Sequence, residues 1–132
     1  MNVGVASPTS ATAIGPVPAS ILCVDDSEDI LLICRTMLEA SGYRVFTATS
    51  GQQALELLQL HSVDAAVIDN MMPGMSGLEL AREIKRAAAG IRVIMFSSTG
   101  QPDDSFPFVD SYVYKGQGPL ALRNLLRSFL RK

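Results

Sequence analysis

Asp64-Ala65-Ala66-Val67-Ile68-Asp69-Asn70-Met71-Met72-Pro73-Gly74-Met75-Ser76-Gly77 reads as a buried strand running into a carboxylate and then a loop. An unbroken apolar run of this length suits a strand covered on both faces. Pro73, Gly74 and Gly77 mark the turn that follows. The same plan recurs along the chain. Ile21-Leu22-Cys23-Val24 ends in Asp25-Asp26, Ile91–Phe96 leads to Ser97, and Ser111–Tyr114 leads to Lys115. In an open parallel sheet the strand carboxyl ends line one crevice, and ligands bind there.

Between these runs the apolar period changes to that of a helix. Ile30, Ile33, Cys34, Met37 and Leu38 are expected on an inward stripe, ended by Ser41-Gly42. Tyr43–Ala48 is a second strand. Ser50 and Gln53 suit a capping box for a helix that carries Ala54, Leu57 and Leu58. Gly77 to Ala89 is expected to be helical, with Leu80, Ala81, Ile84 and Ala88 inward and Gly90 closing it. Leu122, Leu125, Leu126 and Phe129 make the stripe of a last helix. Strand–helix alternation with apolar strands predicts an α/β, doubly wound, five-stranded parallel sheet with right-handed crossovers. The stretch 98–109 breaks the pattern, because Pro102 and Pro107 interrupt it and it has no helical stripe. A shortened or missing fourth helix is expected there.

The composition excludes several classes. The chain has 132 residues, enough for one domain with a real core, and its 48% hydrophobic and 18% charged content is that of a folded chain. A formal charge of −2 gives no electrostatic reason for direct nucleic-acid binding. No apolar run approaches the ~20 residues of a membrane span. Cys23 and Cys34 form neither a disulfide framework nor a zinc motif and read as buried thiols, so a cytoplasmic protein is expected. Residues 1–19 read as an uncharged flexible leader, and 20–132 as the domain. His61, the only histidine, reads as a helix cap or surface residue. Arg123, Arg127 and Arg131 read as a solvated stripe or a docking stripe.

Three carboxylates, a hydroxyl and an ammonium at one crevice suit phosphoryl transfer to a carboxylate. A cation is needed between a phosphoryl donor and a carboxylate nucleophile, and Mg²⁺ prefers such oxygen ligands. Asp26 and Asp69 are candidate direct ligands, with Asp25 acting through water and the Met71 backbone carbonyl completing the shell. Asp69 is the candidate nucleophile. Ser97 can donate a hydrogen bond to an equatorial phosphoryl oxygen, and Lys115 can pair with another.

Val24-Asp25-Asp26-Ser27, Asp69-x-x-Met72-Pro73-x-x-x-Gly77, Ser97 and Tyr112-Val113-Tyr114-Lys115 together resemble the receiver domain of two-component response regulators, similar to the single-domain chemotaxis type. The resemblance spans about Ser20 to Lys132. It implies the flavodoxin-like receiver fold with strand order 2-1-3-4-5. It also implies phosphorylation of Asp69 by a partner histidine kinase or histidine phosphotransfer protein, and a Ser97 hydroxyl and Tyr112 ring that reorient with it. Three features depart from the family pattern. Lys115-Gly116 stands where the family has Lys-Pro with a cis bond, Ser98 follows the switch hydroxyl where a small residue is usual, and the interval from Ser97 to Lys115 is short.

The function expected is that of a phospho-accepting receiver that signals by protein–protein contact to an unknown downstream target, with DNA binding not encoded in this chain. The rivals are a non-phosphorylated interaction module on the same fold, a phosphorelay carrier, and a receiver fragment of a larger regulator or hybrid kinase. A haloacid-dehalogenase-type phosphatase fits less well, because Asp25-Asp26-Ser27 does not supply its Asp-x-Asp.

Overall fold

The computed structural model describes residues 17–98 and 107–130. Five strands, β1 (Ser20–Val24), β2 (Arg44–Ala48), β3 (Ala65–Ile68), β4 (Arg92–Ser97) and β5 (Ser111–Tyr114), form one sheet in the order β2-β1-β3-β4-β5. Every neighbouring pair is parallel. The described helices are α1 (Glu28–Ala40), α2 (Gly51–Leu60), α3 (Gly77–Ala87) and α4 (Pro119–Leu130), with a single 3₁₀ turn at Lys115–Gln117. This is the doubly wound flavodoxin-like fold. The strand order reverses between β1 and β3, so the crevice of the sheet opens between their carboxyl ends.

Strand alternation builds two cores. Ile21, Cys23, Val67, Ile94, Phe96 and Val113 face α1 and α4, where Leu31, Cys34, Leu38, Leu122 and Leu126 meet them. Leu22, Val24, Ala66, Ile68, Val93 and Met95 face α2 and α3, where Ala54, Leu80, Ala81 and Ile84 close the second layer. Leu80, Ile84, Leu122 and Leu126 are fully buried. Truncating one of them to Ala costs about 2–5 kcal/mol through lost transfer energy and a residual cavity. Both thiols are buried and free. Burial pushes the Cys34 thiol up to about 11, so it stays protonated and packs as a small apolar group.

The helix ends follow local chemistry, with three corrections to the sequence reading. Ser27 caps α1 by accepting from Ile30 N–H, and Ser76 and Glu79 make a full capping box on α3. At α2 the Ser50 side chain accepts from Gln53 N–H, but the Gln53 amide oxygen takes Thr49 N–H at 2.7 Å rather than closing the box on Ser50. On α1 the buried stripe is Leu31, Cys34 and Leu38, while Ile33 is 51% exposed and Leu32 64%. On α3 the helix ends at Ala87, and Ala88 is an exposed, extended cap rather than an inward residue closed off by Gly90. His61 is the α2 C-cap and stacks on Phe46, with ring centroids 4.3 Å apart.

The expectation for 98–109 falls largely outside the described residues, as do Arg131 and most of the 1–19 leader. On the near side of β5, Pro107 and Phe108 form a turn, and Phe108 and Val109 pack, partly buried, on the α2/α3 core. Among the described residues no helix is long and apolar enough to cross a membrane.

Candidate functional site

β1 and β3 deliver the first two carboxylates. Asp69 N–H donates to Val24 C=O at 2.8 Å, which extends the β1–β3 ladder one step past the last strand residue. Asp25 N–H likewise donates to Ala48 C=O at 3.1 Å. Both side chains are therefore held at the crevice by backbone, and both are buried. Asp26, next in sequence, is exposed. One carboxylate oxygen from each of Asp25, Asp26 and Asp69 lies within 4.8 Å of the others.

Lys115 arrives from the end of β5. Its Nζ donates to Asp25 Oδ2 at 2.7 Å and lies 3.4 Å from Asp69 Oδ1. The ammonium also stands 5.8 Å from the Phe96 ring centroid, at the end of β4. Burial disfavours its charge, but the hydrogen bond and charge of Asp25, with Asp69 behind it, leave its pKa raised. Lys115 is thus a fixed cation. The Asp69 carboxyl is pushed up, first by burial and then by the Asp25 charge, against the pull of Lys115 and of the Met71 N–H, which lies 3.4 Å from Asp69 Oδ1. The second oxygen of Asp25, Oδ1, accepts from Ser27 N–H at 2.9 Å. A capping residue of α1 therefore also orients a site carboxylate.

The loop after Asp69 is fitted closely. A Cβ at Gly77 would lie 2.3 Å from the Asp69 carbonyl oxygen, so only glycine allows α3 to start against the β3 end. Ser97 is buried at the last position of β4, across from Tyr114. Tyr112 stands apart from the carboxylates. It pairs with Met95 inside the sheet, its ring packs on the α2/α3 core, and its buried hydroxyl has no hydrogen-bond partner among the described residues. Of the residues read from sequence, Asp25, Asp69 and Lys115 come together in contact, and the Asp26 carboxylate lies within 4.8 Å of the other two. Ser97 lies at the neighbouring strand end, and Met71 touches the site through its backbone N–H. The sequence reading assigned no role to Phe96 beneath the ammonium or to Ser27 N–H on Asp25. A run-ending aromatic and a helix cap carry no signal of that role on their own.

Three neighbouring carboxylates, with one half-buried lysine against two of them, leave an excess of negative charge. That donor set is all oxygen and suits a hard divalent cation such as Mg²⁺. A cavity of about 450 Å³ opens between α1 and the start of α2, with Glu28, Asp29, Leu32 and Thr49 in its walls.

A family profile described as the response regulator receiver domain matches residues 21–114. Response regulator SaeR of Staphylococcus aureus is 38% identical over 114 residues, a match covering 80% of this chain and 50% of SaeR. The chain thus spans about half the length of the curated relatives it matches. Among solved structures, response regulator protein TrrA of Thermotoga maritima, in complex with Mg²⁺-BeF, is 31% identical with a TM-score of 0.79, covering 85% of this chain and 99% of that one. TrrA is also known in complex with the histidine kinase ThkA. Chemotaxis protein CheY4 of Vibrio cholerae superposes with a TM-score of 0.80 at 26% identity, covering 86% of this chain and 100% of its own. Since the profile runs from β1 to the last residue of β5 and takes in Asp25, Asp69 and Ser97, the chain belongs to the response regulator receiver domain family.

Proposed function

We propose that the chain accepts a phosphoryl group on Asp69 from a partner histidine kinase or histidine phosphotransfer protein. It then passes the signal on by protein–protein contact. The observation that carries this reading is Asp69 itself, buried at a strand end with an ammonium 3.4 Å from one of its oxygens and two more carboxylates beside it. TrrA, similar in fold and sequence, has been solved both with Mg²⁺-BeF and with a histidine kinase, which supports the same chemistry and partner class here.

Asp25, Asp26 and Asp69, with the Met71 backbone carbonyl, would hold Mg²⁺. When bound, the ion would neutralise charge between the donor phosphate and the carboxylates. The remaining work is done by the chain's own groups. Lys115 and the Met71 N–H both engage Asp69 Oδ1, and we assign the attack to the other oxygen, Oδ2. Its lone pair forms the O–P bond while the P–N bond to the donor imidazole breaks and leaves its electron pair on nitrogen. The transition state spreads charge over the equatorial oxygens, so positioned cations and donors lower the barrier. Lys115 would serve one such oxygen and the Ser97 hydroxyl another. Tyr112, whose hydroxyl is unpartnered among the described residues, is the group that would reorient in response. We place the receiver domain at 20–132, in the cytoplasm, with no direct nucleic-acid contact.

Incubation with acetyl phosphate and Mg²⁺ tests this reading. Intact mass should rise by one phosphate, and Asp69→Asn should stay unlabelled. Equal labelling of the Asn variant would move the acceptor elsewhere. No labelling of the unaltered protein would favour the interaction-module reading.

A further inference from the structure

A lysine stem has several rotatable bonds, so an ammonium at the end of one reaches a fixed point only when its Cα and stem are held. In this chain the residue after Lys115 is glycine, and no cis peptide bond occurs among the described residues. The backbone there is held in another way. Lys115 opens the 3₁₀ turn Lys115–Gln117, and its carbonyl accepts from Gly118 N–H at 3.0 Å. Gly118 has φ +88°, a conformation that L side chains rarely adopt. Ahead of the lysine, Tyr114 N–H donates to the Gln117 side-chain oxygen at 3.3 Å, which ties the two ends of the turn across Lys115. The Tyr114 ring then folds forward over the turn. A Cβ at Gly116 would lie 2.2 Å from Tyr114 Cε2 and 2.8 Å from Cζ, so the ring occupies the space a side chain would need.

We propose that Tyr114, packed on the bare Cα of Gly116 and tied through its N–H to Gln117, is a positioning residue that clasps the Lys115 turn and so aims the ammonium between Asp25 and Asp69. Gly116 is then required as a landing surface for the ring. The lysine is half-buried while the clasp stands in solvent: Tyr114 is 50% exposed and Gln117 is exposed. Loosening the clasp therefore removes little buried area and leaves Asp25 and Asp69 in place. This assignment deepens the Asp69 phosphoacceptor reading and rests on it.

Labelling by acetyl phosphate at saturating Mg²⁺ is followed for Tyr114→Ala, Gly116→Ala, their double variant and Tyr114→Phe. Each Ala change should slow labelling about tenfold, because a small misplacement of a charge-stabilising group is costly in rate. The double variant should be no slower than the slower single, since both changes break one contact. Tyr114→Phe keeps the ring and should label at the unaltered rate. Thermal midpoints should agree within a degree or two. The Lys115 ammonium resonance of ¹⁵N-lysine-labelled protein, assigned by its loss in Lys115→Ala, should be sharp in the unaltered protein and in Tyr114→Phe. It should be broadened in both Ala variants. This signal is read without phosphate, so it tests the clasp even if Asp69 is not the acceptor. Unchanged labelling and an unchanged ammonium signal in Gly116→Ala would show that the ring swings aside freely, and would overturn the proposal. Independent, multiplying effects of the two Ala changes would overturn it as well.

Discussion

At the carboxyl ends of the strands Lys115 faces two buried carboxylates; at the amino ends Lys85 and Arg92 share a single carboxylate, Asp110. Lys85 Nζ lies 2.9 Å and Arg92 3.7 Å from Asp110. Asp110 Oδ2 also accepts Val93 N–H at 2.8 Å, and Lys85 Nζ donates to Ile91 C=O at 2.7 Å. Burial works against ionisation of Asp110, but the Lys85 hydrogen bond, the Val93 N–H and the two cations hold its carboxyl below the usual range. At the opposite pole burial and Asp25 push Asp69 above it. One pole is rich in cations and donors and ties α3 to the starts of β4 and β5. The other is short of positive charge and keeps an acid whose ionised form is poorly satisfied. The first arrangement favours stability, and the second leaves room for a ligand cation and a phosphoryl group.

The sharpest separation of the two poles is chemical. Asp69→Asn should abolish phosphate uptake from acetyl phosphate, whereas Asp110→Asn should take up one phosphate like the unaltered protein, as read by intact mass. Uptake lost equally in both variants would mean that the amino pole also builds the site.

The metal dependence of stability comes next. Mg²⁺ that binds only the folded chain should stabilise it by about 2.7 kcal/mol at a hundredfold excess over Kd. Asp26→Asn should remove most of that gain, read as the urea midpoint with and without Mg²⁺, and Asp110→Asn should leave it intact. A full Mg²⁺ response in Asp26→Asn would take Asp26 out of the ligand set.

A smaller loss is expected at the amino pole. Lys85→Met removes the charge-assisted bonds to Asp110 and to Ile91 C=O and keeps the stem. It should cost about 1–2 kcal/mol in urea unfolding, without changing the labelling rate. A neutral effect on stability would show that Arg92 and Val93 N–H alone satisfy Asp110.

The sequence made the carboxyl pole legible and hid the amino one. Ala65–Ile68 is a short apolar run that ends in an acid, and such an end falls at the crevice whenever the sheet is parallel. Asp25, Asp69 and Lys115 could therefore be placed by topology. Asp110 sits just before a strand and Lys85 inside a helix, and nothing in either neighbourhood marks them as partners. Phase was ambiguous on α1, because Ile30-Leu31-Leu32-Ile33 is apolar at four successive positions and fits more than one stripe. Packing chose Leu31 and left Ile33 exposed. On α3 the strong helix formers Ala87-Ala88-Ala89 suggested a longer helix than forms. Ala88 turns extended, with φ −155°, and the chain then enters β4 at Arg92. The turn holding Lys115 reads in sequence only as Gly-Gln-Gly loop composition, since nothing in that composition shows the Tyr114 ring lying forward against Gly116.

The finest test uses pH, because the two acids shift in opposite directions. Asp110 has a lowered folded pKa, so its contribution to stability is complete above the ordinary carboxylate range and is lost as pH falls through the lowered value. Asp69 has a raised folded pKa. Its ionisation therefore opposes folding, with a penalty that enters as pH rises past the ordinary carboxylate value and is complete above the raised one. In Mg²⁺-free buffer near neutral pH, Asp110→Asn should then be less stable than the unaltered protein and Asp69→Asn more stable. Both titration-linked differences should shrink as the medium is acidified, because protonation makes each native acid resemble its amide. Urea midpoints taken across the acidic range read this directly. The Asp69 difference should fade at the higher pH of the two, and saturating Mg²⁺ should reduce or reverse it while leaving the Asp110 difference alone. If both variants were destabilised to the same degree at neutral pH, the carboxyl pole would be a structural ion pair like its counterpart, and the charge excess read there would already be balanced within the fold.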